Sequence, residues 1–190
     1  TATDPISHFN DFSNLNLQLG ILTLKGLVQG NGPLELQSLC GHFGKATSDE
    51  RDAVGRKQSQ VLGTLKKFEQ VFHIRAPKAS SMSESKTKVR LVKGSGVNET
   101  PVPYAKAIFK VIWFLKEKGA MDVKHLSTRL GQNSTLSERE AVGESPGELK
   151  QTLKGLPQLV KVSSDTISIV GHEPHLIAAR LFILPAPPVV

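Results

Sequence analysis

A hexapeptide occurs twice in this chain, as Glu50-Arg51-Asp52-Ala53-Val54-Gly55 and as Glu138-Arg139-Glu140-Ala141-Val142-Gly143, 88 residues apart and identical at five of six positions. The likeness extends on both sides. Downstream, Val61, Leu65, Phe68, Val71 and Ile74 fall opposite Leu149, Leu153, Leu156, Leu159 and Val162 at the same spacing. Upstream, Gly32, Leu34, Leu36, Leu39 and Gly44 fall opposite Gly119, Met121, Val123, Leu126 and Gly131 at a spacing of 87, so one residue is inserted after Gly131. Apolar residues and glycines are kept while polar ones vary, so what is repeated is a core with its turns. A period near 88 exceeds the roughly 20–50 residues of solenoid units, and each copy is expected to own a core and fold as a domain.

The second copy shows the plan more clearly. Tyr104, Ile108, Phe109, Ile112 and Leu115 lie at helical spacing and predict a first helix that stops at Gly119, with Trp113 beside the stripe. Asp122 is placed to cap a second helix with Val123, Leu126 and Leu130 inward, stopped by Gly131. Thr135-Leu136-Ser137-Glu138 is a capping box, and Gly143 keeps the helix it opens short. Ser145-Pro146-Gly147-Glu148 starts a further helix, with Leu149, Leu153 and Leu156 inward and Pro157 at its end. Alternation over residues 159–162 and 166–170, around Ser163-Ser164-Asp165, predicts a β-hairpin.

The first copy repeats the plan over residues 15–28, 34–43, a capping box at Thr47 to Glu50, and 58–68, followed by strands over 71–74 and 88–92. The fold class expected is mainly α with small β-hairpins (α+β), as two tandem winged helix-turn-helix-like modules at 15–92 and 104–171. Residues 75–87 form a long basic wing tip, 93–103 a linker, and 172–190 an apolar, proline-rich tail without a period.

Charge is distributed unevenly. The chain carries a formal +7, and residues 75–103 hold six basic against two acidic side chains. That excess favours an anionic partner, nucleic acid before an anionic lipid surface. No apolar run approaches the roughly 18 residues of a membrane span. The first residues show no basic-then-apolar signal, and one cysteine, Cys40, forms no internal disulfide, so a reducing, cytoplasmic setting is expected. Two glycosylation sequons, at Asn98 and Asn133, are of a length that recurs by chance.

Catalytic patterns are thin. His172 and His175 lack a third ligand at metal spacing, so no metal site is expected. Cys40 and His42 take different sides of a helix whose apolar stripe includes Cys40 and reads as core. Lys93-Gly94-Ser95-Gly96 lacks the spacing of a phosphate loop, and the carboxylates Asp49, Glu50, Glu138 and Glu140 sit in first helical turns where they complement the dipole. No catalytic residue and no cofactor is assigned, and the chain is expected not to be an enzyme.

Binding features are stronger. The helix before a wing commonly meets nucleic acid, and here those helices offer Lys66 and Lys67 in copy one and Lys150 and Lys154 in copy two, with Gln58, Gln60 and Gln151. The first wing adds Arg75, Lys78, Lys86, Lys88 and Arg90, suited to phosphates with little base choice. Trp113, Leu181 and Phe182 are the candidates for contact with a protein partner or a second copy.

The run Glu-Arg-x-Ala-Val-Gly, then Ser145-Pro146-Gly147-Glu148-Leu149-Lys150-Gln151-Thr152-Leu153, Pro157, Leu159 to Val162 and Asp165 to Gly171 resembles the N-terminal region of Egalitarian-type proteins, over about residues 15–171. A weaker similarity, in architecture and final strand, is to OST-HTH/LOTUS modules. The first resemblance implies helical modules ahead of a 3′–5′ exonuclease-like domain, in an RNA-transport adaptor that dimerises and binds protein partners. The acidic metal-binding motifs of such an exonuclease are not found here, which makes this chain the non-catalytic front end. Two other readings stand beside an RNA-binding one: a protein-interaction or dimerisation module without nucleic acid, and an accessory domain that positions substrate for an exonuclease-like domain.

Overall fold

The computed structural model describes residues 15–78, 83–92 and 101–183, which are mainly helical with two small antiparallel sheets. The chain divides into two compact units, the first made of residues 1–99 and 180–190, the second of residues 100–179.

In the first unit the order is α1 (Leu15–Asn31), β1 (Leu34–Glu35), α2 (Leu36–Phe43), α3 (Ser48–Val54), α4 (Gln58–Lys67), β2 (Phe72–Arg75) and β3 (Lys88–Leu91). The strands form one sheet in the order β1-β3-β2. The second unit repeats every element: α5 (Val102–Lys118), β4 (Met121–Asp122), α6 (Val123–Asn133), α7 (Leu136–Val142), α8 (Pro146–Lys154), β5 (Val160–Ser163) and β6 (Thr166–Ile169), with sheet order β4-β6-β5. A last helix, α9, spans Pro174–Phe182.

The repeated hexapeptide has a structural reason at three of its positions. Its glutamates are buried, at 3% and 5% exposure, and its valines enter the core. Glu50 accepts a bond from the Thr23 hydroxyl of α1, and Glu138 takes the Lys110 ammonium of α5 at 2.7 Å. Thr23 and Lys110 occupy the same place in the two copies. The final glycines, Gly55 and Gly143, have φ of 134° and 108°, and a Cβ there would stand 2.4 and 2.5 Å from the Cβ of Gln60 and Glu148. Only glycine turns the chain from α3 into α4, and from α7 into α8, at that distance. Thr64 and Thr152 then bond the last carbonyls, Val54 O at 2.5 Å and Val142 O at 2.8 Å.

Helix α1 is buried on most of its circumference, from Leu19, Ile21, Leu22 and Leu24 to Val28. Such a helix is a core element in place of a surface one. Gly20 allows α3 to approach: a Cβ on it would meet Val54 Cγ2 at 2.4 Å. Helix α5 is similarly enclosed, through Ala105, Ile108, Phe109, Ile112 and Leu115. In the first unit the Lys25 ammonium is buried and donates to the carbonyls of Ile183 at 2.7 Å and Phe182 at 3.4 Å, and burial pulls its pKa down to about 8.

Several expectations need correcting. Helix α6 runs through Gly131 to Asn133, because glycine weakens a helix without forcing a stop and nothing there demands a positive φ. Helix α8 ends at Lys154 on a Gly155 cap, ahead of Pro157. Helix α5 begins at Val102, inside the expected linker, with Pro103 in its first turn. The tail is not structureless, since α9 occupies much of it. Cys40 is half-buried, at the edge of the face that encloses Leu36, Leu39 and Phe43, and is not a full member of the core. Residues 79–82 of the wing, 93–100 of the linker and 184–190 of the tail lie outside the described residues. Among the described residues no helix is long and apolar enough to cross a membrane.

Candidate nucleic-acid interface

The sheet of the first unit brings scattered charges into rows. Antiparallel partners directly opposite each other share a face, and the register pairs Glu35 with Lys88 and Lys88 with Arg75, so these three form one row across β1, β3 and β2. The next outward row pairs His73 with Arg90. Between the rows Val89 is buried and Ile74 half-buried, so alternation sends the apolar residues inward and leaves Lys88, Arg90, His73 and Arg75 exposed.

The same positions of the second sheet hold different chemistry. There the row reads Asp122, Thr166, Ser163, and the outer pair is Lys161 with Ser168. Across the two hairpin strands the first copy thus presents Arg75, Lys88, Arg90 and a histidine where the second presents one lysine and three hydroxyls.

The connections between the hairpin strands differ in length around a common anchor. In the first copy twelve residues connect β2 to β3, ending in a short 3-10 turn at Glu84–Lys86; in the second, Ser164 and Asp165 alone connect β5 to β6. Both hairpins return through equivalent bonds of 2.7 Å, Leu36 N–H to Thr87 O and Val123 N–H to Asp165 O. The return strand therefore meets the start of the second helix in the same way in both copies.

A pocket of about 470 Å³ opens at the root of the longer hairpin connection. Arg75, Lys78, Lys86 and Lys88 line it, with Ala76 and Pro77 supplying apolar surface and Glu35 a carboxylate. The Lys86 ammonium lies 3.6 Å from Glu35. Four of the nine expected phosphate-binding cations thus converge. Arg90 stands two residues further along β3, and Lys66 and Lys67 are exposed in the last turn of α4, where they also complement the helix dipole. Lys67 lines a separate pocket of about 510 Å³ with Arg56, which is itself bonded to Asp52 and Ser48.

The second copy offers less. Lys150 is bonded to Asp165 of its own hairpin turn at 3.1 Å, and Lys154 is exposed beside a pocket of about 420 Å³ that includes Lys161. Among the expected protein-contact residues, Trp113 is half-buried with the Lys116 ammonium 5.9 Å from its ring centroid, and Leu181 is half-buried. Phe182 is only 8% exposed, and its assignment as a surface contact is corrected: it is part of a core. His175 is buried and His172 exposed; among the described residues no group of three or more His, Cys, Asp or Glu side chains could hold a metal ion. Burial raises the Cys40 thiol pKa, and His42 is exposed.

Glu35 was missed from the sequence. The signal was present, since it aligns with the capping residue Asp122. Comparison with family models, with curated proteins and with solved structures returns no match.

Proposed function

We propose that the chain is a pair of winged-helix modules that binds RNA through its phosphates, with the wing of the first copy as the principal contact. The observation that carries this is the difference between equivalent rows: Lys88 and Arg75 in one copy, Thr166 and Ser163 in the other, on the same scaffold. Four cations gathered at one pocket beside an extended wing suit a polyanion, because ammonium and guanidinium groups displace its condensed counterions. RNA is preferred to DNA on the resemblance to Egalitarian-type proteins, and the same resemblance makes the chain the non-catalytic part of a transport or processing adaptor that also meets protein partners.

Fluorescence anisotropy with labelled single-stranded RNA, duplex RNA and DNA tests the reading. Binding at low salt should weaken steeply as salt rises, with a log–log slope near −0.7 for each phosphate neutralised on a single strand. Absence of binding to all three at low salt overturns the proposal.

A further inference from the structure

We propose that the pocket at the root of the first wing takes one unpaired guanine nucleotide, with Glu35 reading the base edge and Arg75 and Lys88 holding the phosphate. The inference rests on the nucleic-acid reading above and adds a base preference to it.

A surface for phosphates alone gains nothing from a carboxylate among its cations, yet Glu35 stands in the same sheet row as Lys88 and Arg75. The second copy shows what this position does when it is structural. There Asp122 caps α6, its carboxylate accepting the Lys124 N–H at 2.8 Å. Glu35 precedes α2 in the same place and makes no side-chain cap. The side chains that reach it are long and exposed: Lys86 at 3.6 Å and the Gln37 amide at 3.5 Å. The Glu35 carboxylate thus caps no backbone N–H of its own helix, is reached among the described residues only by the side chains of Gln37 and Lys86, and lines the pocket.

The pocket's volume of about 470 Å³ is that of a small-ligand site. Ala76, Pro77 and the methylene stems of the lysines give a ring an apolar surface to lie on. An ionised carboxylate only accepts hydrogen bonds. The Watson–Crick edge of guanine offers it two adjacent donors, the N1–H and the exocyclic amine. Adenine and cytosine set their amine beside a ring acceptor, and uracil sets its single N–H between two carbonyls. Guanine alone meets both oxygens without turning a lone pair toward them. The base must be unpaired, because in a duplex that edge faces its complement.

The test is anisotropy of the whole chain with oligouridine of about ten nucleotides, enough for one small module, carrying one central guanine, inosine, adenine, cytosine or uracil. The guanine oligomer should bind roughly tenfold tighter than the adenine, cytosine and uracil ones, within the range of one bidentate base contact. Inosine, which lacks the exocyclic amine, should fall between, a result that needs no variant. Glu35→Gln should bring the guanine oligomer down to the level of the uracil one while leaving affinity for the latter equal or higher. Equal binding of all five oligomers overturns the guanine assignment and leaves the nucleic-acid reading standing. A guanine preference that survives in Glu35→Gln overturns the role of Glu35. No binding of any oligomer overturns the guanine assignment, and absence of duplex RNA and DNA binding as well overturns both.

Discussion

Lys110 and Glu138 meet at 2.7 Å with only 14% and 6% of their side chains exposed, tying α5 to the helix that carries the repeated hexapeptide. Glu138 also takes the Thr135 N–H at 2.9 Å, so one carboxylate both closes the capping box and holds the pair. Equivalent residues in the first copy, Thr23 and Glu50, meet through a neutral donor. The same buried acid is satisfied by a charge in one copy and by a hydroxyl in the other.

Truncating Glu138 to alanine leaves a largely buried ammonium without its partner. The expected loss is about 3–5 kcal/mol, the range for breaking a buried pair. Replacing Lys110 and Glu138 together by methionine and leucine should cost much less, because no orphan charge remains. Urea unfolding of the three chains measures both, and equal losses for the single and double changes would count against a buried pair.

Gly143→Ala forces a Cβ to within 2.5 Å of Glu148 Cβ and 2.8 Å of its backbone carbon, at a φ of 108°. A destabilisation of about 1–3 kcal/mol or more is expected. Gly147→Ala, in the first turn of α8 with open space around it, should be neutral or stabilise by up to about 1 kcal/mol. Thermal unfolding distinguishes the two sites, and a similar response at both would contradict the described turn.

His175 gives the stability a pH dependence. Burial, with a smaller contribution from the Lys116 charge, pushes its pKa down to about 4 from an ordinary 6.5. Between those values the unfolded chain binds the proton and the folded chain does not, so this group's contribution to stability falls as pH drops from about 6.5 to about 4 and levels off below. In His175→Leu the slope of unfolding free energy against pH should flatten in that window. A slope unchanged by the substitution would show that the imidazole is not held neutral.

Neutralising the cations of the first hairpin separates the two copies. Arg75→Gln with Lys88→Gln should weaken RNA binding and reduce the magnitude of the salt slope by about 1.4 for a single strand, two phosphate contacts at about 0.7 each. Lys150→Gln, whose ammonium already bonds Asp165, should change binding less. Anisotropy titrations at several salt concentrations measure both, and a larger effect at Lys150 would move the interface to the second copy.

Much of the fold was legible because the repeat supplied two readings of each element. The caps at Thr47, Asp122, Thr135 and Ser145 all accept the backbone N–H expected of them, because the capping residue and the amide it serves are neighbours in sequence. The two-residue strands at Leu34 and Met121 were not legible, since so short a strand has no period and exists only by pairing with β3 and β6. Helix α9 is obscured in the sequence by the prolines around it, although Pro174 suits a first position and Ala178, Ala179 and Phe182 are spaced for burial. The cations of the first hairpin can be read from the sequence as a set. Their convergence on one pocket depends on strand register and on a long connection, neither of which local patterns specify.

The equivalence of Thr87 and Asp165 as anchors has a consequence for how such a chain changes over time. Because each return strand is held by the same bond however many residues precede it, the tip can lengthen without disturbing the helices behind it, and each doubling of loop length costs only about 0.6 kcal/mol in closure entropy. One scaffold can therefore carry a twelve-residue connection while its twin carries a two-residue turn. The hairpin tips are, for the same reason, natural sites for grafting foreign peptides into this protein.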